Sequence, residues 1–156
     1  MGRRVHTDMR EYDYAKLQAL VIDDDPFFLR LLTQMLEQIG LGRVNQAREG
    51  SQGLAEFDLM LPDVVFCDIH MQPIDGMAFL GSVRQMSDPM LAATPIVFVT
   101  ADATLGAGGA ARKYSANGYL VKPFSQVQLK NRLDAIIARS PELSRLLSIS
   151  PAGVGS

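Results

Sequence analysis

The stretch Leu17-Gln18-Ala19-Leu20-Val21-Ile22-Asp23-Asp24-Asp25-Pro26 decides the fold. A mostly apolar run of six residues, with no polar alternation, stops abruptly at three aspartates. Such a run fits a strand buried on both faces, as in a parallel sheet. Asp25 can cap the helix that follows, and Pro26 suits its first position. Phe28, Leu31, Leu32, Met35, Leu36 and Ile39 then recur at spacings of three and four, which predicts one inward helix face. Gly40 supplies the stop. The unit is strand then helix, with carboxylates at the junction.

The same order repeats down the chain. Val44 to Ala47 reads as a weak strand, and residues 51–60 as a helix with Leu54 and Phe57 inward, stopped by Pro62. Asp63-Val64-Val65-Phe66-Cys67 is a second strongly apolar strand ending at Asp68. A loop with Pro73 and Gly76 leads to a helix carrying Phe79, Leu80, Val83 and Met86. Pro95-Ile96-Val97-Phe98-Val99-Thr100 is another buried strand. Residues 104–115 allow a helix, although Gly106, Gly108 and Gly109 weaken it. Gly118-Tyr119-Leu120-Val121 is the last strand and ends at Lys122-Pro123-Phe124. Ser125 and Gln128 have capping-box spacing, and Leu129, Leu133, Ile136 and Ile137 line the helix they open. Five alternations predict an α/β domain with helices on both faces of a five-stranded parallel sheet, in the flavodoxin-like order 2-1-3-4-5 with right-handed crossovers. The working crevice of such a sheet lies beyond the carboxyl ends of its strands, where strands 1 and 3 are neighbours.

The 156 residues make one domain. It is expected over 17–139, after a leader at 1–16 that is mobile to about Tyr14 and before a tail at 140–156. A short docked helix fits the start of that tail, a partner-binding or dimer segment is the alternative, and fraying fits residues beyond Ser150. Fifteen basic residues against seventeen acidic give a net charge of −2, which argues against a nucleic-acid partner. No apolar run approaches the roughly 18 residues of a spanning helix, so no membrane insertion is expected. The start lacks the apolar stretch of a secretory signal. His6 stands where a myristoylation motif needs Ser or Thr. A single cysteine, Cys67, excludes a disulfide framework and suits a reducing, cytoplasmic setting. Lying inside a strand, it reads as a buried structural residue. Met35, Met77 and Met86 fall on apolar helix faces and read as core.

Polar residues collect where the topology puts the crevice. Strand 1 ends at Asp23, Asp24 and Asp25, strand 3 at Asp68, strand 4 at Thr100 and strand 5 at Lys122. Three carboxylates drawn together repel one another and resist ionisation, and a divalent cation relieves this. Magnesium takes oxygen ligands and keeps several waters, so one to three carboxylates suffice. Lys122 can pair with an anion formed there, and the Thr100 hydroxyl can donate to an anionic oxygen. Together these groups make a phosphoryl-transfer site in which a carboxylate can itself be the nucleophile, giving an aspartyl phosphate.

Asp23-Asp24-Asp25-Pro26, Asp68, Thr100-Ala101 and Lys122-Pro123-Phe124, in that order and spacing, resemble the receiver domains of two-component response regulators. The resemblance covers roughly Leu17 to Arg139 and is to the stand-alone, chemotaxis-regulator-like kind. It implies that Asp68 accepts a phosphoryl group from a histidine kinase or histidine phosphotransfer protein and signals to a downstream protein target. It implies Mg2+ held directly by Asp24, by Asp23 directly or through water, by Asp68, and by the backbone carbonyl of His70. Thr100 and Lys122 would hold the phosphoryl oxygens, and Tyr119 matches an aromatic switch position. His70 and Asp102 would border the path of the water that removes the phosphoryl group. A receiver supports its own phosphoryl transfer and dephosphorylation without being a dedicated enzyme. A receiver-like adaptor that is never phosphorylated is the alternative. Three features depart from the pattern: Pro73 comes one position late after Met71-Gln72, three glycines lie in residues 104–115, and no output domain is expected after residue 139.

Other motifs carry less. Gly106-Ala107-Gly108-Gly109-Ala110-Ala111 fits a dinucleotide fingerprint, but its first glycine lies too far beyond the strand and no acid ends the next one. A haloacid dehalogenase-type phosphatase would place its nucleophile first, with a second aspartate two residues on. Here the acid pair comes first and His70 stands in that later position. With only His6 besides, His70 cannot build a histidine metal cluster and reads as a solvent-facing loop side chain.

Overall fold

The computed structural model describes residues 12–102 and 116–149. Residues 104–115, with the glycine-rich motif, therefore lie outside the described residues, as do His6 and the chain beyond Ile149. The elements are β1 (Gln18–Ile22), α1 (Pro26–Ile39), β2 (Arg43–Ala47), α2 (Gly50–Met60), β3 (Val64–Asp68), α3 (Gly76–Arg84), a single turn α4 (Pro89–Ala92), β4 (Ile96–Thr100), β5 (Gly118–Val121), α5 (Gln126–Arg139) and α6 (Pro141–Leu147). All strand pairs are parallel, and the sheet order is β2-β1-β3-β4-β5, as the alternation predicts.

Strand residues alternate between two apolar layers, as the two-residue period requires. Ala19, Val21, Phe66, Val97 and Val99 pack on one face against Leu32 and Leu36 of α1 and Leu129 and Leu133 of α5. Leu20, Ile22, Val65, Cys67 and Phe98 pack on the other against Phe57 of α2 and Phe79 and Leu80 of α3. β3 and β4 are buried along their whole length, which is why they read as unbroken apolar runs.

The helix punctuation is local and forms as expected. The Asp25 carboxylate accepts from the Phe27 N–H with Pro26 at the first position, and Gly40 closes α1 in the left-handed region at φ 117°. Ser125 and Gln128 form a reciprocal capping box on α5. One detail of α1 differs from the stripe read in the sequence. Leu29 and Thr33 are buried, while Leu31 is exposed. The buried arc centres on Leu29, Leu32 and Leu36, and at about 100° per residue Leu31 falls roughly 130° from that centre, on the solvent side.

Residues 12–16, within the stretch read as a leader, pack on the domain. Tyr12 is buried and pairs antiparallel with Ser148, and the Asp13 N–H donates to the Leu147 carbonyl at 2.6 Å. A 3-10 turn, Tyr14–Lys16, follows. The Tyr14 hydroxyl donates to the Asp134 carboxylate on α5. Ser140 caps α6, and Leu147 is wholly buried in the same apolar layer as α1 and α5.

Candidate functional site

Strand register builds the site. Ile22 of β1 pairs with Cys67 of β3, so the next residues, Asp23 and Asp68, emerge side by side. Asp68 pairs with Val99, which sets Thr100 one step further on, and Thr100 pairs with Val121, which delivers Lys122. The Lys122 N–H donates to the Thr100 carbonyl at 2.8 Å and extends that ladder by one residue.

Carboxylate oxygens of Asp23, Asp24 and Asp68 lie within 4.8 Å of one another. Asp23 and Asp68 are buried and Asp24 is exposed, so the cluster has a closed floor and an open rim. The Asp25 N–H donates to Asp23 Oδ1 at 2.9 Å. Lys122 Nζ donates to Asp23 Oδ2 at 2.8 Å, lies 3.8 Å from Asp68 Oδ2, and sits 4.1 Å from the centroid of the Phe28 ring. Asp68 Oδ1 accepts from the His70 N–H at 3.4 Å. Burial raises the Asp68 pKa. Lys122 opposes that shift, Asp23 adds to it, the His70 N–H opposes it, and Asp24 adds a little more.

The donor set suits a hard cation. Octahedral Mg2+ with bonds of about 2.0–2.1 Å holds its ligand atoms roughly 2.9–4.2 Å apart. The carboxylate oxygens, within 4.8 Å of one another, lie close to that range. Two of them would otherwise share a low-dielectric pocket with one ammonium.

Thr100 is fully buried, and its hydroxyl oxygen accepts from the Asp102 N–H at 3.0 Å. The hydroxyl proton therefore remains available to an acceptor oxygen within its reach. His70 is exposed, in line with a loop side chain. Tyr119 does not join the cluster. It is half-buried, packs against the α2–α3 face of the sheet and lines a surface depression with Phe124, Gln128 and Arg132. Cys67 is wholly buried, its Sγ contacts the Asp68 carbonyl at 3.2 Å, and burial pushes its pKa well up.

Two positioning residues escape a reading by sequence alone. Phe28, legible only as an apolar helix position, forms a face under the Lys122 ammonium. Gly76 presses on the end of β3: its N–H donates to the Ile69 carbonyl at 2.8 Å, and a Cβ there would meet the Asp68 carbonyl and stand 2.8 Å from Ile69 Cα. Asp75 caps α3 beside it through the Ala78 N–H. The Asp75-Gly76 pair was the available signal.

Residues 19–134 match the response regulator receiver domain family. The chain belongs to that family. Two-component receivers are phosphoacceptors that typically bind Mg2+ in an acidic pocket, and this receiver has such a pocket at its strand ends. It is 33% identical over 133 residues to the transcriptional regulatory protein TrcR of Mycobacterium tuberculosis, covering 85% of this chain and 50% of that protein. It is 30% identical over 139 residues to the probable transcriptional regulator ycf27 of Guillardia theta, covering 89% and 52%. The receiver thus spans about half the length of these relatives. Among solved structures it resembles a response regulator from Chloroflexus aurantiacus J-10-fl, with a TM-score of 0.72 and 33% identity over 79% of this chain and 98% of that one. It also resembles the chemotaxis response regulator CheY4 of Vibrio cholerae, with a TM-score of 0.68 and 27% identity over 77% and 98%. Among the described residues, no helix is long and apolar enough to cross a membrane.

Proposed function

We propose that Asp68 is the phosphoacceptor of this receiver. The observation that carries the proposal is the position of Lys122 Nζ, 2.8 Å from Asp23 and 3.8 Å from Asp68, inside a cluster of three carboxylates. A carboxylate oxygen of Asp68 attacks the phosphorus of a phosphohistidine on a histidine kinase or phosphotransfer protein. The O–P bond forms, the N–P bond breaks, and the imidazole leaves with its electron pair. Asp23, Asp24, Asp68 and the His70 carbonyl would hold Mg2+, which supplies positive charge against the incoming phosphoryl oxygens. Lys122 exchanges part of its pairing with Asp23 for a phosphoryl oxygen. The Thr100 hydroxyl donates to another while the Asp102 N–H keeps its own bond to the threonine oxygen. Tyr119 is the neighbour that responds when Thr100 shifts, and the changed surface is read by a protein target. His70 and Asp102 flank the approach of the water that later cleaves the acyl phosphate.

The protein works in the cytoplasm, where its donors are. Direct binding of nucleic acid is not part of this reading, since the net charge is −2. TrcR is named as a transcriptional regulator, and a DNA partner in a protein of that length would be met through another domain. The test is exposure of the protein to a small phosphodonor such as phosphoramidate with Mg2+, followed by intact mass. One phosphoryl adduct, labile to hydroxylamine and absent from Asp68→Asn, is expected. Normal labelling of that variant removes Asp68 from the role. No adduct on the wild-type chain favours the unphosphorylated adaptor.

A further inference from the structure

We infer that the groove at the pole opposite the acids is an interface between two copies of this chain. The groove lies at the amino ends of the strands, where Asp63, Pro95 and Asn117 precede β3, β4 and β5, and α6 forms one wall. Its volume is about 690 Å³. Of the eight exposed large hydrophobic side chains among the described residues, three line it: Leu61 at 53%, Met90 at 67% and Leu146 at 53% exposure. Apolar surface gathered in one concavity marks a contact site, whereas scattered apolar residues do not.

The charges on the rim identify the occupant. Arg139 ends α5 and Glu142 lies in the first turn of α6, and both are exposed on the groove. Neither makes an ion pair among the described residues. Opposite charges adjacent on one rim are self-complementary, because a two-fold axis brings the same patch of each copy together. A two-fold axis between them sets Arg139 against the partner subunit's Glu142 and Glu142 against the partner subunit's Arg139. Leu61, Met90 and Leu146 of each copy are covered between the two pairs. An apolar peptide would leave both charges unmatched, and a peptide of one charge would leave one of them. A net charge of −2 per copy is too small to oppose the contact strongly. The acid clusters stay open at the two outer ends, and the surface around Tyr119 stays free.

Sedimentation analysis of the 156-residue chain, from low micromolar to millimolar concentration, tests this. A monomer–dimer equilibrium is expected. Arg139→Glu alone and Glu142→Arg alone should each weaken it about tenfold or more, because each places like charges opposite one another twice. Mixing these two variants should restore association to within about threefold of wild type, since every contact in the mixed dimer is again complementary. Leu146→Asp, at an exposed position, should give a monomer with unchanged far-ultraviolet circular dichroism. A monomer at every concentration overturns the inference, whether the groove amides exchange freely or are protected by the chain's own ends. So does a dimer indifferent to all three variants, or one lost in the single variants and not restored by mixing.

Discussion

Asp68 carries an anion in a place that disfavours anions. Burial is the largest cause, two neighbouring carboxylates add to it, and Lys122 and the His70 N–H compensate only in part. Its folded pKa stands above the ordinary 3.8, so the native state binds more protons than the unfolded chain in the window between the two values. Stability of the metal-free protein therefore falls as pH rises through that window. Asp68→Asn should raise the metal-free melting temperature at neutral pH by a few degrees and flatten its dependence on pH just above 3.8. Melts in chelator across pH measure this. A lower melting temperature for the variant would mean that Lys122 makes the carboxylate a net stabiliser. His70 poses a separate question, because its N–H faces Asp68 while its side chain is exposed. His70→Ala should change the rate of phosphate loss by about threefold, on the scale of under 1 kcal/mol in barrier, and leave Mg2+ affinity nearly unchanged. Unchanged decay would place the imidazole away from the water's path.

Among the elements, α3 bears most directly on the site, because its first residue touches the end of β3 at Asp68. Gly76→Ala forces a methyl group against the Asp68 carbonyl and Ile69 Cα. The expected cost is about 1–3 kcal/mol in urea unfolding, with slower phosphorylation because the acceptor is displaced. Full activity would show that the loop gives way freely. This contact also marks the limit of what the sequence discloses. The caps at Asp25, Gly40 and Ser125 were legible because each involves residues a few positions apart. The acids, Thr100 and Lys122 were legible because parallel strands of similar length bring their ends level. Gly76 against Asp68, Phe28 under Lys122 and Tyr12 against Ser148 were not. Each joins segments whose approach depends on helix placement, and no periodicity encodes that. Arg84 is similar: it donates to the Thr94 carbonyl at 2.9 Å and to Asn117 Oδ1 at 2.8 Å, tying α3 to the start of β5.

Over the whole molecule, the segments at 12–16 and 141–148 fasten one face of the sheet. Tyr12, Tyr14, Leu143 and Leu147 join the layer of α1 and α5, and Tyr14, in its contact with Asp134, has a hydroxyl pKa pushed up to about 12, first by burial. Leu147→Ala should cost about 2–5 kcal/mol within a single cooperative transition. A small loss, or a separate early transition, would show the ends melting on their own. Cys67 supplies a different kind of reading. It is the one cysteine of the chain, it lies in the central strand, and its thiol touches the Asp68 carbonyl. Alkylation must wait for the middle of the sheet to part, so the reagent acts as a clock for rare openings rather than as a stain for surface thiols. Bound Mg2+ should slow that clock by the factor in which it stabilises the closed state, which a mass spectrum taken over hours would display. Labelling within seconds in native buffer would mean that this strand parts from its neighbours far more easily than its packing requires.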